Sequence, residues 1–148
     1  MMNYTVCFLI CRETGCVLLL KKDRTDFVGR YNGVGGKIEA NEMPYSGAVR
    51  EIREETGVDT AGRLYWLGTL MLPDDCGKHD PEGCTLHFYT ADVREDEVSQ
   101  QVGESEQLAW FPVRVVISSA PTCENFAGRG DVQYFVNLAW NHVCAKPQ

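Results

Sequence analysis

Five residues in one short stretch are the best placed to do chemistry: Glu42, Arg50, Glu51, Glu54 and Glu55, within GKIEANEMPYSGAVREIREETGV, residues 36–58. Carboxylates crowded together repel, and like charges at helical spacing cost a helix about 0.2–0.5 kcal/mol per pair. A protein that holds them together needs a counter-charge. Oxygen ligands at this density suit a hard divalent cation, Mg²⁺ or Mn²⁺, better than zinc. Arg50 can in addition orient a carboxylate through a bidentate pair. The plainer alternative is an amphipathic helix with a solvated acidic face. The three helical glutamates alone leave both readings open.

Positioning these groups requires a helix. Proline suits a first helical position, because its missing N–H would have no partner there, so the helix is expected to begin near Pro44. Gly57 stands where a left-handed residue would end it. At about 100° per residue, Tyr45, Ala48, Val49 and Ile52 form one apolar stripe that a sheet must cover. Glu51, Glu54 and Glu55 form a second stripe, with Gly47 in its middle. Gly47 is expected to leave the point between the carboxylates unobstructed.

The spacing is more specific than the composition. Gly36, five residues, Glu42, seven residues, then REIREETGV over residues 50–58 resembles the Nudix box at every fixed position. The chain is therefore identified as a member of the Nudix hydrolases, enzymes that cut a nucleoside diphosphate linked to another moiety. The leading substrate is a purine nucleoside triphosphate, and the alternatives within the family are ADP-ribose, a dinucleoside polyphosphate or a nucleotide sugar. The alternative of another class is a ligand-sensing domain that keeps the fold without turnover. The resemblance implies an α/β fold, an α/β/α sandwich with a mixed central sheet, forming one domain over residues 1–148. It implies Glu51, Glu54 and Glu55 as metal ligands, with the Gly36 carbonyl as a further one. Arg50 becomes the residue that orients them, and Glu42 a loop-stabilising or metal-facing acid. Glu54 is the first choice of general base. The alternative is a glutamate outside the box, and Glu104 and Glu106 precede Trp110 and Phe111, where family members often place one. Without the resemblance these two read as solvated loop charges.

Substrate choice lies outside the box. Lys22, Phe27, Gly29, Arg30, Asn32, Gly33, Gly35, Gly36 and Lys37 resemble the corresponding stretch of the oxidised-purine nucleoside triphosphate diphosphatases, the 8-oxo-dGTP branch. That resemblance implies Asn32 as a base reader, Lys22 as a pocket lysine, and Gly35 and Lys37 beside the substrate. It places Asp131 where the branch has a base-reading aspartate. Departures accompany it: Gly128 stands in place of a pocket tryptophan, Gly130 in place of a second aspartate, and Tyr31 in place of a tryptophan. Phe126 is a candidate to fill the gap. Physically, an amide offers a purine edge both donor and acceptor, and Tyr31 or Phe27 offers a ring to stack on. Each has an ordinary alternative. Asn32 before glycine is a turn residue, Lys22 is a solvated strand end, Tyr31 and Phe27 are core, and Asp131 is preferred as a helix N-cap.

The totals agree with such an enzyme. The chain has 148 residues, 44% hydrophobic and 24% charged, as in an ordinary globular protein. A net charge of −7 argues against a nucleic-acid surface, and a polyphosphate would be repelled unless cations intervene. The N-terminal apolar run is too short to span a bilayer and has no basic start or cleavage site. No membrane partner and a cytoplasmic location are expected, and the family's habits allow a homodimer. Seven cysteines without an export signal suggest free thiols. Cys76, His79, Cys84 and His87 make a weak zinc pattern, and a loop followed by a strand is preferred.

Strands are expected at 3–11, 16–22, 64–72, 85–93 and 108–111, with a short one delivering residues 31–36 to the box. A turn of helix is expected near 112–119. A second helix at 131–144 should present Phe135, Leu138 and Ala139 to the core. Strands mixed with helices on this scale suggest a sheet between helices.

Overall fold

The structure, a computed structural model, describes residues 2–22, 29–73, 83–99 and 106–147, and of Lys22, Glu106 and Gln107 only the backbone. The alternation of β1 (Met2–Cys11) decides the architecture. Successive strand residues face opposite ways, so Val6, Phe8 and Ile10 enter one core while Cys7 and Leu9 enter another. The next strand, β2 (Cys16–Lys22), repeats the pattern with Val17 and Leu19 against Leu18 and Leu20. Both sides of this sheet are therefore apolar, and both must be covered.

The sheet runs β3 (Tyr31–Asn32), β2, β1, β5 (Cys84–Asp92), β4 (Tyr65–Leu72), and β6 (Glu106–Pro112) pairs with β2. It is mixed. β1 and β5 run parallel from Met2–Cys84 to Ile10–Asp92, and β1–β2, β2–β3, β2–β6 and β4–β5 are antiparallel. One face carries α1 (Pro44–Thr56), whose Ala48 and Ile52 pack with Cys7, Leu9 and Tyr89. The other carries α2 (Val113–Ser118) and α3 (Asp131–Ala145). The expected α/β/α sandwich is the fold found.

Pro44 opens α1, and Gly57 closes it in the left-handed region (φ 81°), donating its N–H to the Arg53 carbonyl. The short strand expected over 31–36 divides instead. Only Tyr31 and Asn32 pair with β2, whereas Val34, Gly36 and Ile38 exchange backbone hydrogen bonds with Cys7, Thr5 and Asn3 of β1. β1 leaves β2 after a few residues, and this segment takes the vacated edge.

Two expectations are corrected and one is extended. Asp131 is the first residue inside α3, not its N-cap; the cap position is Gly130, left-handed at φ 99°. Phe135, Leu138 and Ala139 of α3 do meet the core, Leu138 half-buried, and Val132, Val136 and Val143 widen that face. Cys84 is disulfide-bonded, so it has no thiolate for zinc, while Cys7, Cys11, Cys16, Cys123 and Cys144 are free. Cys76, His79 and Phe27 lie outside the described residues.

The α3-side core centres on Phe88, stacked near-parallel on Phe135 at 3.7 Å between ring centres, with Phe8 6.3 Å away on a parallel plane. Phe88→Ala should cost about 3–5 kcal/mol of stability, since the rings around it cannot close the cavity. A denaturant midpoint that hardly moves would show that this core tolerates the gap.

Candidate active site

The close approach of a glycine pair to β1 sets the geometry. The Thr5 N–H donates to the Gly36 carbonyl at 2.9 Å, and the Cys7 N–H to Val34 at 2.6 Å. A Cβ on Gly35 would collide with the Thr5 carbonyl oxygen, and Gly35 itself has φ 155°. A Cβ on Gly36 would lie 2.8 Å from the Glu51 carboxyl group. Glycine at both positions lets α1 bring its carboxylates against the backbone of this segment.

Glu55 is buried and accepts the Gly35 N–H at 2.8 Å. Glu51 is nearly buried, and Glu54 is 58% exposed. Arg50 gathers the carboxylates. Its Nε and Nη2 donate to the two oxygens of Glu42 at 2.8 and 2.9 Å, the bidentate arrangement that fits a guanidinium fork. Its Nη1 donates to Glu51 at 3.0 Å and to Glu54 at 3.4 Å, and Nη2 also reaches the Lys37 carbonyl at 3.1 Å. The Glu39 N–H completes the cradle by donating to Glu42 at 3.0 Å.

Gly47 does not open a void, as its place in the acidic stripe suggested. The Glu42 carboxylate lies over it, 2.9 Å from where a Cβ would stand. The room that glycine provides is used to let Glu42 reach Arg50.

Arg50 and the Glu39 N–H hold the Glu42 carboxyl down at about 2. The same pairing raises Arg50 above its ordinary range, which keeps the guanidinium charged at any working pH. Burial pushes the Cys7 thiol up, and the negative Glu55 and Glu51 push it further. Cys7 is thus an inert floor under the acidic cluster.

The donors are all oxygen: the Gly36 carbonyl and the carboxylates of Glu51, Glu54 and Glu55. That set fits a hard divalent cation. Among the described residues no three acidic, histidine or cysteine side chains stand in ligating geometry as placed, and the Arg50 guanidinium is the cation that Glu51 and Glu54 face. The Gly36 carbonyl already accepts the Thr5 N–H, and the Thr5 hydroxyl stands 3.4 Å from the same oxygen.

Among the described residues expected to bind a base, none is hydrogen-bonded to this cluster. Tyr31 pairs with Asn125 and Ala127 through its backbone, which brings β3 beside the loop that ends in Asp131. Its ring stands edge-on to Phe111 at 4.7 Å, with the Lys21 ammonium 5.6 Å from its centre. Phe126 is buried against Phe111 in the α3-side core. The Asp131 carboxylate folds back over Gly128, 2.9 Å from where a Cβ there would sit. Asn32 accepts the Gly33 N–H on its own side chain at 2.7 Å. The Lys37 side chain is exposed. Backbone pairing aligns Lys22 with Glu106, both side chains and all of Glu104 being outside the described residues. Sequence reasoning missed Thr5, whose hydroxyl lies 3.4 Å from Gly36; a lone threonine in the apolar run of β1 was the available signal. It also missed Lys21, whose ammonium lies over the Tyr31 ring.

Comparison with known proteins follows this geometry. Residues 1–128 match the NUDIX domain family, and the chain belongs to it. It is 37% identical over 99 residues to the oxidized purine nucleoside triphosphate hydrolase of Mus musculus, an alignment covering 64% of this chain and 57% of that protein. To the protein of the same name from Danio rerio it is 32% identical over 103 residues, covering 68% and 61%. The chain thus spans under two thirds of the length of either relative. Its backbone superposes on the NUDIX domain of Shewanella oneidensis NrtR, crystallised with ADP ribose, with a TM-score of 0.73 at 17% identity, over 97% of this chain and 88% of that one.

The Glu42 contact makes a pH-dependent contribution with a definite sign. Its carboxyl is held below the ordinary 4.5, so the stabilisation is complete above that value and fades as pH falls toward about 2. Glu42→Gln should be less stable than the parent at pH 7, and the gap should close between about pH 4.5 and 2. Denaturant midpoints that differ by the same amount across that range would contradict the pairing.

Proposed function

We propose that this chain is a single catalytic domain that hydrolyses a nucleoside diphosphate-linked substrate with Mg²⁺ or Mn²⁺. The substrate favoured is a purine nucleoside triphosphate, oxidised or not, cut to the monophosphate and pyrophosphate. The observation that carries this reading is the gathering of Glu42, Glu51 and Glu54 on Arg50 against Gly36. A surface helix has no need of such convergence. The names of the mouse and zebrafish relatives support the substrate class.

Gly36, Glu51, Glu54 and Glu55 would hold the cation. When bound it supplies neutralisation of phosphate charge and a lowered pKa for attacking water. The protein's own groups do the rest. Arg50, anchored by Glu42, fixes the direction in which Glu51 and Glu54 present their oxygens. Glu54 is the carboxylate open to solvent, so it can take a proton from water at its Oε atoms and release it to bulk. Glu106 is the alternative base. Glu55, tied to the Gly35 N–H, holds the glycine segment to the helix.

For the base, Asn32 can offer its amide N–H₂, since its oxygen already serves Gly33. The resemblance would have Asp131, Tyr31, Lys22 and Phe27 complete a purine site, and the backbone pairing of Tyr31 with Asn125 and Ala127, in the loop before Asp131, supports the first two. Tyr31, with Phe111 at its edge and Lys21 over it, offers less open ring than a stacking platform requires.

Glu54→Gln should lower kcat by roughly 10²–10⁴, the range of a positioned general base, while leaving the unfolding transition in place. Near-normal turnover would remove Glu54 from that role. Asn32→Ala should reorder the ranking of guanine, adenine and oxidised bases more than the ranking of phosphate lengths. Equal slowing of all nucleotides would make Asn32 structural.

A further inference from the structure

On the face of the sheet that carries α1, a strip of side chains leads away from Gly36 toward the edge strand. Register fixes its order. Thr5 of β1 pairs with Gly36 on one side and stands opposite His87 of β5 on the other; His87 stands opposite Thr69 of β4. Residues directly opposite share a face, so three strand spacings, about 14 Å, separate Gly36 from Thr69. Trp66, opposite Tyr89, flanks this row on one side, and Asn3 and Met71, at the two ends of the Thr85 row, flank it on the other.

The outer part of the strip is open and yet fixed. Trp66 is 56% exposed and Met71 64% exposed. An exposed indole ordinarily samples several rotamers, but here its Nε1–H donates to the Thr69 hydroxyl at 3.1 Å. The Thr69 hydroxyl lies 3.4 Å from His87 Nδ1, and His87 Nε2 lies 3.4 Å from Asn3 Oδ1. One direction of donation satisfies all four groups. Trp66 donates to Thr69, Thr69 donates to a bare Nδ1, and a protonated Nε2 donates to Asn3. Burial holds the imidazole toward its neutral form, which this direction requires. The Asn3 amide nitrogen is then turned away from the ring. In a chain with net charge −7, the strip carries a neutral imidazole, hydroxyls, an amide, a thioether and an indole, and no carboxylate.

We propose that this strip is a second substrate subsite, which takes a nucleoside attached to the far side of the diphosphate, its base lying on the Trp66 indole. It rests on the hydrolytic reading above, but not on a triphosphate being the substrate. The length from Gly36 matches a nucleoside extended from a phosphate held there. The indole is pre-set by Thr69, so stacking needs no further ordering of the ring. Met71 offers a polarisable edge to the same base, and the Asn3 amide nitrogen a donor to a sugar or base oxygen. The neutrality of the strip lets a polyanion extend along it. His87 touches no ligand in this account; it is a positioning residue for Asn3 and, through Thr69, for Trp66.

The test compares a two-nucleoside probe with a one-nucleoside probe, using hydrolysis-resistant methylene analogues of diadenosine tetraphosphate and of ATP with Mg²⁺. Trp66→Ala should weaken binding of the diadenosine compound about tenfold, within the range for loss of one base–aromatic stack. Binding of the ATP analogue should change less than about twofold. Thr69→Val, which cuts the relay without removing the ring, should give a smaller loss in the same direction. Imidazole ¹⁵N spectra should show neutral His87 protonated at Nε2 and should respond to the diadenosine probe only. Equal effects on both probes, no effect of Trp66→Ala, or an Nδ1–H tautomer would overturn the subsite. Failure to hydrolyse any nucleotide would instead defeat the catalytic reading, and these binding measurements would stand apart from it.

Discussion

The structure depends on one constraint: several carboxylates must be held close together without a folded state that flies apart. Arg50 meets it. One guanidinium spends its Nε/Nη2 edge on Glu42 and its remaining nitrogen on Glu51 and Glu54. Glu55 is handled differently, by a backbone N–H from Gly35 in a buried setting. The helix, the glycine segment and β1 are thereby tied at one place. Remove the cation at its centre and the repulsion would fall on α1, whose other face is the core that holds the sheet.

The fold can be understood as the frame this cluster needs. A sheet apolar on both faces takes α1 on one side and α2 with α3 on the other, so the acidic helix cannot lift away without opening a core. β1 is the member under most demand. It pairs with β5 along its whole length and gives its other edge first to the glycine segment and then to β2. Thr5 sits at the crossing, touching Gly36 on one side and facing His87 on the other.

Much of this was legible from residue types with strong local rules. Pro44 and Gly57 bound α1 because each has a backbone preference that few neighbours can override. The strands followed from apolar runs broken by turn residues. What was not legible came from pairing between distant segments. Nothing local says that residues 34–38 will lie on β1 while 31–32 stay with β2, or that β6 returns to β2. Gly47 misled because a missing side chain can mean open space or room for a neighbour, and Glu42 is far enough away in sequence to be that neighbour. Asp131 misled for a related reason. A left-handed Gly130 can start a helix by itself, and the aspartate then folds toward Gly128 instead of capping. Cysteine count and the lack of an export signal argue for thiols throughout, but they carry no information about the disulfide at Cys84. The relay through Trp66, Thr69, His87 and Asn3 joins three strands and has no signature in any one of them.

The central claim is that Glu51 and Glu54, steered by Arg50, bind a divalent cation on which hydrolysis depends. Calorimetric titration with Mg²⁺ and Mn²⁺ tests it most directly, in the parent protein and in Glu51→Gln and Glu54→Gln. The account predicts binding in the parent that weakens by at least about tenfold in each variant, a loss of about 1.4 kcal/mol. Binding of equal strength in all three proteins, or none in any of them, would contradict it.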